Sequence, residues 1–146
     1  MENELTFNID IVSRPEKIWN TLTDPARVAK YLFNYQVETD WQPGNTISYF
    51  LPLGETKILT LKGTLIKVDP PLYLEHTVFP VGSGIEDKPE NYLTTIYQLD
   101  FQSSKTVLKV THRGFLSVEN GEKRYVHTQL IWGTIMSGIK EVAEGD

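Results

Sequence analysis

The chain has 146 residues, a formal net charge of −5 and no cysteine. The missing thiols exclude disulfides, thiolate metal sites and a cysteine nucleophile. The acidic balance, with no basic run to offset it, argues against binding a polyphosphate backbone. A chain of this length reads as one domain, residues 1–146, able to bury roughly 68–70% of its unfolded surface.

At the N-terminus, Met1-Glu-Asn-Glu-Leu-Thr-Phe7 has acids where a secretory signal carries basic residues and an apolar run. No apolar stretch reaches the roughly 18 residues that span a bilayer, so a cytoplasmic location is expected. Leu5, Phe7, Ile9 and Ile11 alternate with Thr6, Asn8 and Asp10, and that period of two predicts a half-buried first strand. Ser13, with Glu16 three residues on, has the form of a capping box. Pro15 sits early, where its missing N–H costs nothing. A helix over residues 15–23 is expected to bury Ile18, Trp19 and Leu22. Asp24-Pro25 starts a second short helix in the same way, through about Lys30.

Strand-like segments follow at 35–41, 46–53, 57–68 and 72–79. Gln42-Pro43-Gly44-Asn45 is a turn between the first two, and Asp69-Pro70-Pro71 ends the third. Gly63 inside the long 57–68 segment marks a bulge. Residues 80–91 hold two glycines and two prolines without a period, and read as a mobile loop long enough to form a lid. Two more strands, 92–101 and 105–113, are joined by Gln102-Ser103-Ser104. A long helix over about 120–144 carries Val126, Leu130, Trp132, Met136, Ile139 and Ala143. The order is strand, two short helices, six strands and a long helix. Short turns between consecutive strands imply an antiparallel sheet and an α+β class. A hairpin feeding a long helix suggests a sheet curved around that helix, a scaffold able to enclose an apolar cavity.

Several stretches resemble the START-like (SRPBCC) superfamily, and within it the branch of the activator of Hsp90 ATPase homologue C-terminal domain. Pro15-Glu-Lys-Ile-Trp-Asn-Thr-Leu-Thr-Asp-Pro25 is similar to its first-helix signature. Trp41-Gln-Pro-Gly44 resembles the turn after the second strand. Gly63-Thr-Leu-Ile-Lys-Val-Asp-Pro-Pro71, followed by Leu74-Glu75, resembles the central hairpin. Residues 106–115 resemble the last strand, and Leu130, Trp132 and Ile139-Lys140 the final helix. The resemblance spans nearly the whole chain. It implies a helix-grip (START/Bet v 1-like) fold, with a curved antiparallel sheet around the C-terminal helix. It also implies a hydrophobic small-molecule or lipid site between them. Tyr31-Leu-Phe33 stands where family members usually carry Trp-Phe, which reshapes one rim of the cavity. The eukaryotic activators have a further N-terminal domain with no counterpart in this sequence.

Alternation places His112 on the face of Leu108 and Val110, looking toward the helix. It reads either as a ligand hydrogen-bonding group or general base, or as an inward histidine satisfied by a neighbouring strand. His76 shares a face with Leu72, Leu74 and Val78, so two inward histidines could approach each other across the sheet. No spacing supplies a third metal ligand, and neither a metal nor a cofactor is expected. His127 reads as lying on the solvent side of the long helix. Tyr97 lies with Leu93, Thr95, Leu99 and Phe101, and Tyr49 with Ile47 and Leu51. Each tyrosine offers an apolar ring plus a hydroxyl that wants a partner. Phe33, Trp41, Trp132 and Met136 are apolar wall candidates, with plain core packing as the alternative for each.

No Gly-x-Ser-x-Gly elbow, phosphate-binding glycine loop or paired carboxylates can be read, so catalytic residues are not assigned. The function expected first is a binding module for a hydrophobic or amphipathic small molecule. A chaperone cofactor or stress-response interaction protein comes second, and a small enzyme using a cavity histidine third.

Overall fold

A computed structural model describes residues 1–145. The elements are β1 (Glu4–Ile11), α1 (Pro15–Thr23), α2 (Pro25–Tyr31), β2 (Gln36–Glu38), β3 (Thr46–Leu53), β4 (Thr56–Asp69), β5 (Tyr73–Pro80), β6 (Leu93–Gln102), β7 (Lys105–Arg113) and α3 (Gly121–Glu144). Among the described residues seven strands form a single antiparallel sheet in the order β1-β7-β6-β5-β4-β3-β2. Consecutive strands from β2 to β7 pair, β5 and β6 across residues 81–92, and β1 pairs with β7, from Glu4 opposite Arg113 to Ile11 opposite Thr106. The fold is the α+β helix-grip arrangement, with the sheet curved around α3.

Local chemistry explains where the elements begin and end. Asp24 caps α2, its carboxylate accepting from the Arg27 N–H at 3.1 Å, with Pro25 in the first turn. Ser13 does not cap α1. Pro15 at the first helical position makes Arg14 the cap residue, and no side chain bonds the free N–H groups there. Ser13 instead gives its carbonyl to the Thr106 hydroxyl at 2.8 Å, tying the helix start to β7. Asp24→Ala is therefore expected to cost about 1 kcal/mol in urea unfolding, and Ser13→Ala less than half as much.

The strand expected over 35–41 is paired only at 36–38. Thr39 turns its hydroxyl onto the Thr46 carbonyl at 2.8 Å, and Asp40 accepts from Gln42 N–H and Asn45 Nδ2. These local bonds replace the ladder, and Trp41 follows in the left-handed region at φ 60°.

α3 packs in two different ways along its length. Ile135, Met136, Ile139 and Ala143 are buried in a core shared with Ile11, Ile18, Leu22 and Val28. Its last turn is clamped to β1: Lys140 Nζ donates to the Asp10 carbonyl and to Glu144, which also accepts from the Val12 N–H, each at 2.7 Å. Val126 and Leu130 are exposed. Each lies two residues, about 200° of helical rotation, from the inward positions Thr128 and Trp132.

Candidate ligand cavity

Between the concave face of the sheet and the N-terminal half of α3 lies a cavity of about 420 Å³. The C-terminal half of the helix meets the core, so the space stays open only where the inward helix residues are Arg124, Thr128, Ile131, Trp132 and Ile135. Sheet residues form the floor, and Phe33, Tyr35 and Leu32 from the segment after α2 close one side.

The floor is an apolar surface crossed by one polar row. His76 on β5 stands opposite Thr95 on β6, which stands opposite His112 on β7. Neighbouring strands are about 4.8 Å apart, so the three side chains sit side by side on the inner face. All three are buried. His112 Nδ1 lies 3.1 Å from Thr95 Oγ1, and His76 Nδ1 lies 2.8 Å from the Thr77 carbonyl oxygen. The Nε2 atom of each histidine is buried with no hydrogen-bond partner among the described residues. Burial pushes the His112 imidazole down to about 3, helped by the neighbouring His76, and burial also lowers His76. Both rings are neutral at physiological pH.

Aromatic rings surround this row. Trp132 lies 4.3 Å from His112, 6.4 Å from Tyr97 and 6.4 Å from Phe7, between ring centroids. His76 stacks on Tyr97 at 6.0 Å and tilts toward Tyr49 at 6.2 Å. Burial holds both tyrosine hydroxyls above their ordinary value, so they stay protonated. Among the described residues no group of three His, Asp or Glu side chains could hold a metal ion, and no carboxylate lines the cavity.

The mouth is different. Lys123, Arg124 and His127, all in the first two turns of α3, meet Ser83 and Ile85 there. Residues 80–91 are not one unanchored lid. Asn91 is buried and donates Nδ2 to the Glu86 carbonyl, while its Oδ1 accepts from the Glu119 N–H, each at 2.9 Å. Arg124 Nη1 donates to the Asn91 carbonyl at 2.7 Å, and Asp87 pairs with Lys62 and Tyr92. The turn 81–84 is exposed, with its Val81 N–H bonded to the Thr60 carbonyl at 2.9 Å, and Ser83 and the adjoining Ile85 border the opening.

Six of the residues singled out from the sequence therefore share one cavity: Phe33, Tyr49, His76, Tyr97, His112 and Trp132. Trp41 and Met136 do not line it. Trp41 packs half-buried against the core beyond β2, where its left-handed backbone turns it. Met136 is on the helix half that the core fills. Sequence reasoning missed the cationic rim of Lys123 and Arg124, and His127, exposed as expected, also borders the mouth. The usable signal was the inward series Arg124, Thr128, Ile131 and Ile135, polar at its start and apolar at its end.

A family model described as "Activator of Hsp90 ATPase homolog 1-like protein" matches residues 13–144. No curated protein matches the chain in sequence. Solved structures share its fold. A protein from Cytophaga hutchinsonii is 25% identical, covers 99% of this chain and 97% of its own, and superposes with a TM-score of 0.73. A Chromobacterium violaceum protein is 18% identical with full coverage of both chains and a TM-score of 0.74. The Aha1 dimer from Colwellia psychrerythraea is also 18% identical, covering 97% of this chain and 96% of its own, with a TM-score of 0.73.

Proposed function

We propose, given that the chain belongs to the activator of Hsp90 ATPase homolog 1-like family, that its cavity binds a hydrophobic or amphipathic small molecule. The observation that carries this reading is the cavity of about 420 Å³ itself, walled by aromatic and aliphatic side chains around the His76–Thr95–His112 row. Burying apolar ligand surface there supplies about 25 cal/mol per Å². Few polar groups interrupt the wall, which is how such sites set orientation without losing affinity. The cations at the mouth, Lys123 and Arg124, favour an anionic or polar head on the outside and the apolar body within. His76, Tyr49, Tyr97, His112, Phe33 and Trp132 are the residues proposed to touch the ligand. A saturating ligand, at about 100 times its dissociation constant, is expected to add about 2.7 kcal/mol of stability. For a chain of this length that raises Tm by about 5–10 °C. A thermal-shift screen of fatty acids, sterols and aromatic acids checks it. No shift with any of these, and no adduct in native mass spectrometry of freshly purified protein, would sink the reading.

A second reading, a chaperone cofactor, is supported by the name of the family and of one structural relative. Its test is stimulation of an Hsp90-type ATPase by the purified protein. Absence of both stimulation and complex formation removes it.

A further inference from the structure

We propose that the buried floor of the cavity selects a neutral hydrogen-bond donor, a hydroxyl or N–H on the inner end of the ligand, which binds His76 Nε2. This rests on the small-molecule reading above and specifies what that molecule carries.

The tautomer of His76 is fixed by its neighbour in the strand. Its Nδ1 lies 2.8 Å from the Thr77 carbonyl oxygen, which can only accept. Nδ1 therefore carries the proton. Because burial keeps the ring neutral, Nε2 has a lone pair and no hydrogen. That lone pair is on the ring edge opposite the bond to the strand. It is buried and has no donor among the described residues. An unmet buried acceptor is costly, and the cost is recovered only when a donor arrives.

The surroundings decide which donor. An ammonium would lose its hydration with no carboxylate to meet it, since none lines the cavity. A carboxylate would set its own lone pairs against that of His76. A neutral hydroxyl or N–H fits both conditions. His112 adapts to it. Its Nδ1 faces the Thr95 hydroxyl, which rotates to donate or accept, so His112 Nε2 can serve as acceptor or donor in turn. The flanking rings of Tyr97 and Tyr49 suit a flat group carrying that donor.

The test uses 4-butylphenol and its methyl ether 4-butylanisole, which have nearly the same apolar body and differ in the donor. Titration calorimetry on the full chain is expected to show the phenol binding at least about tenfold more tightly, because the ether leaves the acceptor unmet. In His76→Leu the gap is expected to shrink below about twofold, with the ether retained. Equal affinities for the unmodified protein, or a gap that survives in His76→Leu, overturn the proposal while leaving the small-molecule reading intact. Binding of neither compound overturns this proposal, and the small-molecule reading is then decided by the thermal-shift screen and native mass spectrometry. Long-range nitrogen–proton NMR of the unmodified protein keeps the test independent of whether the variant folds. His76 is expected as the Nδ1–H tautomer, with its Nε2 signal moved by the phenol and not by the ether. An Nε2–H tautomer, or no selective movement, overturns the proposal.

Discussion

Gly63→Ala is expected to cost this fold about 4 kcal/mol or more, in the range reserved for exceptional substitutions. The physical cause is a backbone approach rather than backbone conformation. A Cβ added at Gly63 falls far inside contact distance of the Thr77 carbonyl oxygen and carbon, which belong to the β5 backbone and cannot swing aside. Next to it, the Thr64 N–H bonds the Thr77 hydroxyl at 2.9 Å instead of a ladder carbonyl, and an irregularity follows between Leu65 and Lys67. To admit a methyl group β4 must move away from β5. That motion displaces Leu61 and His76, two residues of the cavity wall, so ligand binding is expected to fall with stability. Gly133→Ala is the control. Nothing lies within 4 Å of a Cβ at that position in α3, and the change is expected to stabilise by about 0.5–1 kcal/mol. Urea unfolding of the two variants separates them, and a Gly63→Ala protein within 1 kcal/mol of the unmodified chain would contradict the close approach.

Acidification is expected to destabilise the protein between about pH 6.5 and pH 4.5, before most carboxylates titrate. The sign follows from two buried histidines. Above the unfolded value of about 6.5, folded and unfolded forms are both neutral and nothing changes. Below it, the unfolded chain takes up protons that the folded chain refuses, because burial holds His112 near about 3 and lowers His76 in the same direction. His112 removes about 1.4 kcal/mol per pH unit across this window, and His76 acts in the same direction. His112 alone therefore removes about 2–3 kcal/mol by pH 4.5. This is a large part of the stability of a typical domain, about 5–15 kcal/mol. The groups around the two rings are Thr95, Phe7, Trp132, Tyr49 and Tyr97, none of them charged in this window. Lowered carboxylates such as Asp40 and Asp87 lose their contribution only as pH falls below the ordinary carboxylate range, so the two effects are separable. His112→Leu is expected to flatten the slope between pH 6.5 and 4.5 by the roughly 2–3 kcal/mol that His112 contributes. An unchanged slope in that variant would remove His112 as its source.

Much of the fold could be read from one sequence. Alternation in β3, β5, β6 and β7 identified the inward faces, and with them Tyr49, His76, Tyr97 and His112. Proline and glycine turns set the order of strands. The errors are of one kind. Ser13 has the spacing of a cap to Glu16, but Pro15 at the first helical position makes Arg14 the cap residue, and the Ser13 carbonyl accepts from Thr106, 93 residues away. Apolar character alone does not place Val126 and Leu130, which helical geometry turns outward. The 80–91 segment has the composition of a mobile loop, and partners from β4 and α3 pin half of it.

What the sequence determined by itself is the class of the fold and which faces of the strands look inward, because a period of two depends only on backbone geometry. What only the tertiary structure decided is where the interior is filled and where it is open. Met136 and Trp132 lie one turn apart on the same helix, yet one is packed into the core and the other borders the cavity. The difference is set by how the distant elements β1, α1 and α2 meet the C-terminal half of α3. The tautomer of His76 belongs to the same category. It is fixed by the position of the Thr77 carbonyl relative to the ring, which residue spacing cannot supply.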